Sequence, residues 1–161
     1  MRIRFDGKTV VVSGAGHGFG RCIAETFAQL GAACSAAIYP PWSLRKTAKA
    51  GVDTEVLDLT DRAAAAAWIV EIERATGGAV DVLVNNAGGV AGQEMRPIEE
   101  VPDADWDHLF AVNVNAAFTL SRAVAAGMSE PAAAGSSTSA RAQVLPRRSP
   151  ASRPIARQNT R

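Results

Sequence analysis

A glycine-rich segment near the start of the chain holds the first residues that could do chemistry. It comprises residues 13–20, Ser-Gly-Ala-Gly-His-Gly-Phe-Gly, directly after the β-branched run at residues 9–12. Ile23, Phe27 and Leu30 then recur at helical spacing, which predicts an amphipathic helix. A turn between a strand and a helix N-terminus offers free N–H groups and a positive helix dipole to a pyrophosphate. The segment therefore predicts a dinucleotide-binding turn.

Three glycines have separate roles in such a turn. Gly14 permits the tight turn, Gly18 lets the backbone approach the phosphates, and Gly20 lets the helix pack closely on the strand. A glycine triplet alone serves many kinds of loop. Its position between a β-branched run and an amphipathic helix favours the nucleotide-binding interpretation.

The elements that must position this turn alternate along the chain. We predict strands at residues 8–12, 32–38, 55–59 and 80–84, with helices at 61–76 and 104–126 and a short helix within 42–50. Thr60 is expected to cap the helix at 61–76. Alternating strands and helices indicate βαβ units. The sequence thus predicts an α/β fold, a doubly wound Rossmann-type parallel sheet with about four strands.

The last part of the chain differs in composition from the first. Residues 129–161 hold six Arg against Glu130 alone, a net charge of +5, whereas residues 1–128 carry −4. Val144, Leu145 and Ile155 are the larger aliphatic residues of this segment, too few to offset the entropy cost of ordering it. We predict a folded domain over residues 1–128 and a disordered tail over 129–161.

Composition also argues against several classes of protein. No apolar stretch is expected to reach the ~20 residues of a membrane helix, and the N-terminus lacks the apolar centre of a secretory signal, so we expect a cytoplasmic protein. Cys22 and Cys34 are expected to be buried thiols, with no metal site. The tail arginines alternate with Pro and Ser and have no aromatic neighbours for base stacking, which argues against nucleic-acid binding.

Four motifs in order support a resemblance to a known family. The glycines have the spacing Gly-x3-Gly-x-Gly, Asp58-Leu59 lies at the end of the third predicted strand, and Asn-Asn-Ala-Gly at residues 85–88 follows the fourth. Asp-Trp-Asp at residues 105–107 precedes Val-Asn-Val at 112–114 in the long predicted helix. Over residues 5–128 the chain resembles the short-chain dehydrogenase/reductase family.

This resemblance implies an oxidoreductase that interconverts a secondary alcohol and a ketone with NAD or NADP. It implies that Asp58 accepts from the adenine amino group, that Asn113 belongs to the catalytic tetrad, and that Asn85 connects neighbouring strands. The long helix at residues 104–126 could support an oligomer. The residues that the resemblance places against the cofactor are Ser13, Gly14, His17, Gly18, Phe19, Gly20, Asp58, Leu59, Asn86, Ala87 and Gly88.

The choice between NAD and NADP stays open. NAD-binding members usually carry an acid at the end of the second strand for the ribose 2′-hydroxyl, but this chain has Ala-Ile-Tyr at residues 37–39. His17, Arg45 and Lys46 would suit a 2′-phosphate, although a basic segment of this kind is also typical of solvated surface.

The remaining catalytic residues of the family are missing. Its chemistry needs a Ser, and a Tyr whose pKa, ordinarily near ~10, is lowered by a Lys four residues on. Tyr39 is the single Tyr, and the lysines are Lys8, Lys46 and Lys49. The expected Tyr and Lys positions carry Arg153 and Arg157.

Our hypothesis for the missing residues is a shifted reading frame. Read in that frame, codons for residues 154–160 permit Tyr-Ser-Thr-Ala-Lys-His, and those for 135–141 permit Leu-Val-Asn-Ile-Ser-Ser. Ile155 supplies two bases of the Tyr codon and Asn159 two of the Lys codon. We interpret the chain as a C-terminally truncated, frameshifted member without activity. The alternative is a non-catalytic NAD(P)-binding fragment or a vestigial gene product.

Overall fold

A four-stranded parallel sheet is the centre of the fold. The computed structural model describes residues 3–39, 47–48 and 50–129. The sheet has the order β3-β2-β1-β4, with every pair parallel. The predicted α/β class and parallel sheet are confirmed. Its strands are β1 (Thr9–Ser13), β2 (Ala33–Ile38), β3 (Asp53–Val56) and β4 (Val82–Val84).

Helices connect and cover these strands. The long helix predicted at residues 104–126 is confirmed as a helical segment over Asp103–Ser129. It contains a π-helical turn at Ala111–Asn115 that the periodicity did not indicate. A 3-10 turn at Ile98–Glu100 precedes it. The α-helices are α1 (Gly18–Gln29), α2 (Arg62–Thr76), α3 (Asp103–Phe110) and α4 (Ala116–Ser129).

Several element boundaries differ from the sequence prediction, and hydrogen bonds explain those of β3 and of the start of α2. β3 covers Asp53–Val56 rather than residues 55–59, because the chain turns at Asp58, whose carbonyl accepts from the Asp61 N–H at 3.1 Å. The cap of α2 is Asp61 and not Thr60: Asp61 Oδ1 accepts from the N–H groups of residues 63 and 64. An Asp carboxylate holds two free helix N–H groups, and the Thr60 hydroxyl donates to Asp58 instead.

The structure covers only part of the predicted C-terminal tail and of the predicted short helix at 42–50. Helix α4 is described as far as Ser129, which is helical. The predicted disorder and shifted frame beyond it concern residues 130–161, which lie outside the described residues, as do most of the short helix predicted at 42–50. Thr47 and Ala48 are helical. The boundary at residue 128 stays a prediction.

Different helices cover the two faces of the sheet, because successive strand residues point to opposite sides. Val11 and Leu83 pack with α2 and α4 on one face, whereas Val10 and Val12 pack with α1 on the other. The buried helix residues of the first face are Ala65, Trp68, Ile69, Ile72, Leu120 and Val124. The carboxyl ends of all four strands consequently lie between two helical layers.

The cysteines have different environments. Cys34 is 3% exposed within β2, and burial raises the pKa of its thiol to about 12. Cys22 is exposed on α1, so the expectation of a buried thiol was wrong for this residue. Within the part of the chain that the structure describes, no three His, Cys, Asp or Glu side chains are grouped to hold a metal ion.

The helical stretch Asp103–Ser129 is longer and more apolar than the sequence analysis expected. Its 27 residues include an 18-residue window with a mean hydropathy of 1.3, long and apolar enough by composition to cross a membrane. A single helix of this kind is weak evidence for a membrane span, because core helices of soluble proteins pass the same test. Here Leu120 and Val124 are buried against the sheet.

Two neighbouring residues of α2 test the assigned faces. Ile69 is fully buried and Val70 is 63% exposed. We expect Ile69→Ala to lower the free energy of unfolding by about 2 to 5 kcal/mol, because it removes buried methyl groups and leaves a cavity. Val70→Ala, the matched control, should change it by no more than about 0.5 kcal/mol. Urea denaturation measures both, and equal losses would contradict the assigned orientation of α2.

Candidate functional site

A cleft of about 610 Å³ opens at the carboxyl ends of the strands. In doubly wound sheets ligands bind where the strand order reverses, and here that point lies between β1 and β4. Residues after β1, β3 and β4 all contribute to the lining. It consists of Gly14, Gly16, His17, Gly18, Phe19, Ala37, Tyr39, Leu57, Asp58, Leu59, Thr60, Asn86, Ala87, Gly88, Ala91, His108 and Val112.

The glycine turn is in close contact with the loop after β4. Gly14 has a φ of +68°, and a Cβ on it would lie 2.7 Å from the Cα of Ala87. A Cβ on Gly20 would overlap the Asn86 side chain and the Gly14 carbonyl oxygen. Only residues without a side chain permit this approach, so the turn and the loop pack backbone against backbone.

Ser13 and Asn86 join the same two segments through hydrogen bonds. Ser13 Oγ accepts from the N–H groups of Asn86 and Ala87, each at 3.0 Å. Asn86 Nδ2 donates to the carbonyl oxygens of Ser13 and Gly14 at 3.2 and 3.1 Å. Ser13 is 1% exposed and lies beneath the cleft rather than on its wall. These bonds determine where the glycine turn stands relative to β4.

The N-terminus of α1 faces the cleft without a side-chain cap. Its N-cap residue, His17, has extended backbone geometry and its side chain accepts no helix N–H. His17, Gly18 and Phe19 line the cleft, and Phe19 is 84% exposed. Free N–H groups and the positive end of the helix dipole therefore point to a space where an anion can bind.

Asp58 stands at the β3 end of the cleft. Its Oδ1 accepts from the N–H and the hydroxyl of Thr60 at 2.9 and 2.8 Å. This turn orients the carboxylate, and among the described residues nothing donates to Oδ2. Leu57 and Leu59 line the cleft on either side of it. The arrangement suits a flat apolar ligand that carries a hydrogen-bond donor at its edge.

Asn113 binds the loop after β4 to the helical segment. Its Oδ1 accepts from the Gly89 N–H, and its Nδ2 donates to the carbonyl oxygens of Gly89 and Leu109, all at 2.9 Å. A Cβ on Gly88 would lie 2.7 Å from the same Oδ1. Asn113 is not part of the cleft lining, whereas its neighbour Val112 is. In this structure its side chain positions the loop.

Asn85 has a different partner from the expected one. The resemblance implied that Asn85 connects neighbouring strands, but its Nδ2 donates to Ser121 Oγ on α4 at 3.1 Å. It therefore ties the end of β4 to the helix above it. The helix residue that accepts this bond could not be identified from sequence spacing.

Sequence reasoning missed several residues of the lining. Ala37 and Tyr39 could have been predicted, because they lie at the carboxyl end of β2, which the strand pattern already indicated. His108 and Val112 lie one helical turn apart and reach the cleft only through the packing of α3 beside the sheet. The other lining residues without a prior assignment are Leu57, Thr60 and Ala91, whereas Gly16 belongs to the glycine turn predicted at residues 13–20.

The described part of the lining is poor in charge. It contains Asp58 as its carboxylate, the two imidazoles of His17 and His108, and no Lys or Arg. An anionic group in the cleft would therefore depend on backbone N–H groups and the α1 dipole rather than on a cationic side chain.

Known proteins are similar to this chain in sequence. A family model described as short chain dehydrogenase matches residues 8–137. Galactitol 2-dehydrogenase of Rhizobium johnstonii is 38% identical over 137 residues, which cover 80% of this chain and 51% of that protein. Sorbitol dehydrogenase of Cereibacter sphaeroides is 34% identical over 129 residues, or 78% of this chain and 49% of that protein. The chain spans about half the length of the curated relatives it matches.

A solved structure of similar fold holds a nucleotide. The 7α-hydroxysteroid dehydrogenase complexed with NADH and 7-oxo glycochenodeoxycholic acid is 32% identical, with a TM-score of 0.69. The match covers 79% of this chain and 50% of that one.

The Asn113 contact can be tested at the residue it holds. Asn113→Ala removes the acceptor of the Gly89 N–H, and a hydrogen bond of about 1 kcal/mol corresponds to roughly fivefold faster amide exchange. Asn115→Ala, in the same π-helical turn, is the control and should leave Gly89 exchange unchanged. Hydrogen exchange followed by NMR measures both variants. Unchanged exchange in Asn113→Ala would contradict the positioning role.

Proposed function

Because this chain belongs to the short-chain dehydrogenase family, we propose that its cleft binds a nicotinamide dinucleotide. The backbone contact between Gly14 and Ala87 is the observation that supports this most. It brings the uncapped N-terminus of α1 to the point where the strand order reverses, which is where doubly wound sheets bind the pyrophosphate of a dinucleotide.

Each part of the nucleotide has a place in this proposal. The pyrophosphate binds the N–H groups at residues 16–19, the adenine packs near Leu59 with its amino group donating to Asp58, and a ribose lies beside residues 86–88. All these residues line one cleft of about 610 Å³, within the usual size range of small-molecule sites. The protein contributes binding and orientation, and the nicotinamide would supply the hydride chemistry.

The described residues of the cleft suit NAD and NADP alike. The end of β2, where an acid would bind the ribose 2′-hydroxyl, has a fully buried Ile38 followed by Tyr39, which is 63% exposed. Neither side chain carries a charge that would select or reject a 2′-phosphate. His17, at the glycine turn of the same cleft, is compatible with either cofactor.

The proposed family reaction is the interconversion of a secondary alcohol and a ketone. In that reaction a Tyr–Lys pair transfers the proton, since an unassisted Tyr has a pKa near ~10 and transfers protons poorly at neutral pH. Tyr39 is the single Tyr of the chain and lies at the end of β2. Strand β1 separates it from the loop after β4, which Asn113 holds. We therefore propose that this chain binds a nucleotide without turnover. The cytoplasm is its proposed location.

Nucleotide binding can be tested at Asp58. Asp58→Asn keeps an acceptor for the Thr60 turn but replaces the second oxygen with an amino group, which repels the adenine amino group. We expect the NADH dissociation constant to rise at least about tenfold, the equivalent of one hydrogen bond to a charged group. Isothermal titration calorimetry measures the change.

Glu55→Gln is the matched control for that titration. Glu55 is exposed on β3 and does not line the cleft, so its substitution should leave the dissociation constant within about twofold. Equal effects of the two substitutions would refute the place assigned to the adenine. Absence of binding of both NADH and NADPH to the unsubstituted chain would refute the proposed function.

Absence of turnover is a separate prediction. The purified chain should not reduce NAD or NADP with galactitol or sorbitol, because the proton-transferring pair is missing. Absorbance of the reduced nicotinamide measures turnover, and the Rhizobium galactitol 2-dehydrogenase serves as the positive control. Turnover by this chain that disappears in Gly14→Ala, a substitution that would push the glycine turn away from the loop after β4, would contradict the assignment.

A further inference from the structure

A buried threonine outside the cleft is bonded to the glycine turn. Thr47 is fully buried, and its Oγ1 donates to the Ala15 carbonyl oxygen at 2.9 Å, across 32 positions of the chain. A helical Thr commonly donates to a carbonyl of the preceding helical turn. This hydroxyl donates to the glycine turn instead, so it joins the connection between β2 and β3 to that turn.

The residues after Thr47 fix it to the sheet. The Thr47 carbonyl oxygen accepts from the Ala50 N–H at 3.1 Å. Val52, just before β3, is buried in the same apolar cluster as Ala15, and Ala50 packs against that cluster. The hydroxyl of Thr47 is therefore presented from a position that the packing of the sheet determines.

Both peptide groups that flank Ala15 are bonded to neighbouring elements. The Ala15 N–H donates to the Ala37 carbonyl oxygen on β2 at 3.1 Å, and the Ala15 carbonyl accepts from Thr47. Ala15 is fully buried, and among the described residues no other group donates to this carbonyl. Because a buried carbonyl without a donor is unfavourable, the Thr47 hydroxyl decides where the carbonyl points.

The direction of the Ala15 carbonyl sets the direction of the Gly16 N–H. The two belong to one peptide group, and in a trans peptide the C=O and N–H point in opposite directions. The carbonyl points to the buried Thr47, whereas Gly16 lines the cleft. In the part of the chain that the structure describes, nothing accepts from the Gly16 N–H. This donor therefore faces the cleft and is free for a ligand.

We propose that Thr47 is a positioning residue of the nucleotide site: its hydroxyl fixes the peptide group between Ala15 and Gly16, so that the Gly16 N–H donates to the pyrophosphate. This role rests on the proposed nucleotide binding. Thr47 itself is not part of the cleft lining. The described lining contains no Lys or Arg, so the attraction for the phosphates depends on N–H groups that point in the right direction.

Two substitutions in the full 161-residue chain separate the hydroxyl from the rest of the side chain. Thr47→Val replaces the hydroxyl with a methyl group, whereas Thr47→Ser keeps it. We expect Thr47→Val to raise the NADH dissociation constant at least about tenfold, because one hydrogen bond to a charged group is misdirected. Thr47→Ser should stay within about threefold of the unsubstituted chain, because it retains the donor. Isothermal titration calorimetry measures all three proteins.

Nucleotide fragments show whether the effect lies at the pyrophosphate. ADP carries a pyrophosphate and adenosine carries none, while the adenine of both is assigned to Asp58 at the β3 end of the cleft. Thr47→Val should raise the ADP dissociation constant at least about tenfold and that of adenosine by no more than about twofold. Chemical-shift titration by NMR measures both fragments. A general loss of packing would weaken the two alike.

Thr119→Val is the matched control. Thr119 is buried like Thr47 but lies on α4 outside the cleft lining, and its Oγ1 has no hydrogen-bond partner among the described residues. Replacing an unpaired hydroxyl with a methyl group should leave the NADH dissociation constant within about twofold. Circular dichroism melting shows whether each variant is folded. Thr47→Ala, which removes the same hydroxyl, takes the place of Thr47→Val if the latter does not fold.

Amide exchange tests the turn without any nucleotide. In the ligand-free chain the Ala15 N–H should exchange at least about fivefold faster in Thr47→Val than in the unsubstituted protein, because the turn has lost one of its bonds. Adding NADH should slow exchange of the Gly16 N–H in the unsubstituted chain and in Thr47→Ser, since this donor then gains an acceptor.

Several results would overturn the positioning role. They are an unchanged NADH dissociation constant in Thr47→Val, an equal loss in Thr47→Val and Thr47→Ser, and equal effects on ADP and adenosine. Absence of NADH and NADPH binding to the unsubstituted chain would refute the proposed function instead. Exchange of the Ala15 N–H would then still decide whether Thr47 holds the turn, and an unchanged rate in Thr47→Val would refute it.

Discussion

The backbone of the glycine turn touches the backbone of the loop after β4, and this contact requires that Gly14 have no side chain. Ser13 and Asn86 hold the two segments in that position with four hydrogen bonds between them. A methyl group at Gly14 or Gly20 would push the segments apart. The cleft, the direction of α1 and the place of its free N–H groups all depend on this close approach.

The helical segment after residue 102 holds the loop after β4 from the far side of the cleft, again through hydrogen bonds. Asn113 holds Gly89, and Asn85 holds Ser121, so the loop after β4 is bound at both ends to helices. Within the π-helical turn two neighbouring side chains have different surroundings: Val112 lines the cleft, whereas Asn113 contacts the loop after β4. Loop, sheet and helix thereby form one support for a ligand at the carboxyl ends of the strands.

Strand and helix periodicity predicted the parallel sheet and most elements correctly, because the signal came from buried faces such as residues 10–12 that are apolar for reasons of packing. Boundaries were less certain where polar side chains decide them. Asp61 rather than Thr60 caps α2, since both are good caps and only the course of the backbone selects between them. The exposed Cys22 was also missed, because helix α1 turns that position outward.

The amino-acid sequence by itself determined the parallel α/β fold, the glycine turn and the family, since these depend on local spacing and on the order of motifs along the chain. The tertiary structure decided what the polar residues of those motifs contact. Ser13 lies beneath the cleft, and Asn113 holds the loop after β4; both position the cleft walls without lining it. His108 and Val112, from the helical segment after residue 102, line it directly. Such contacts join residues far apart in the chain, and only packing specifies which atoms meet.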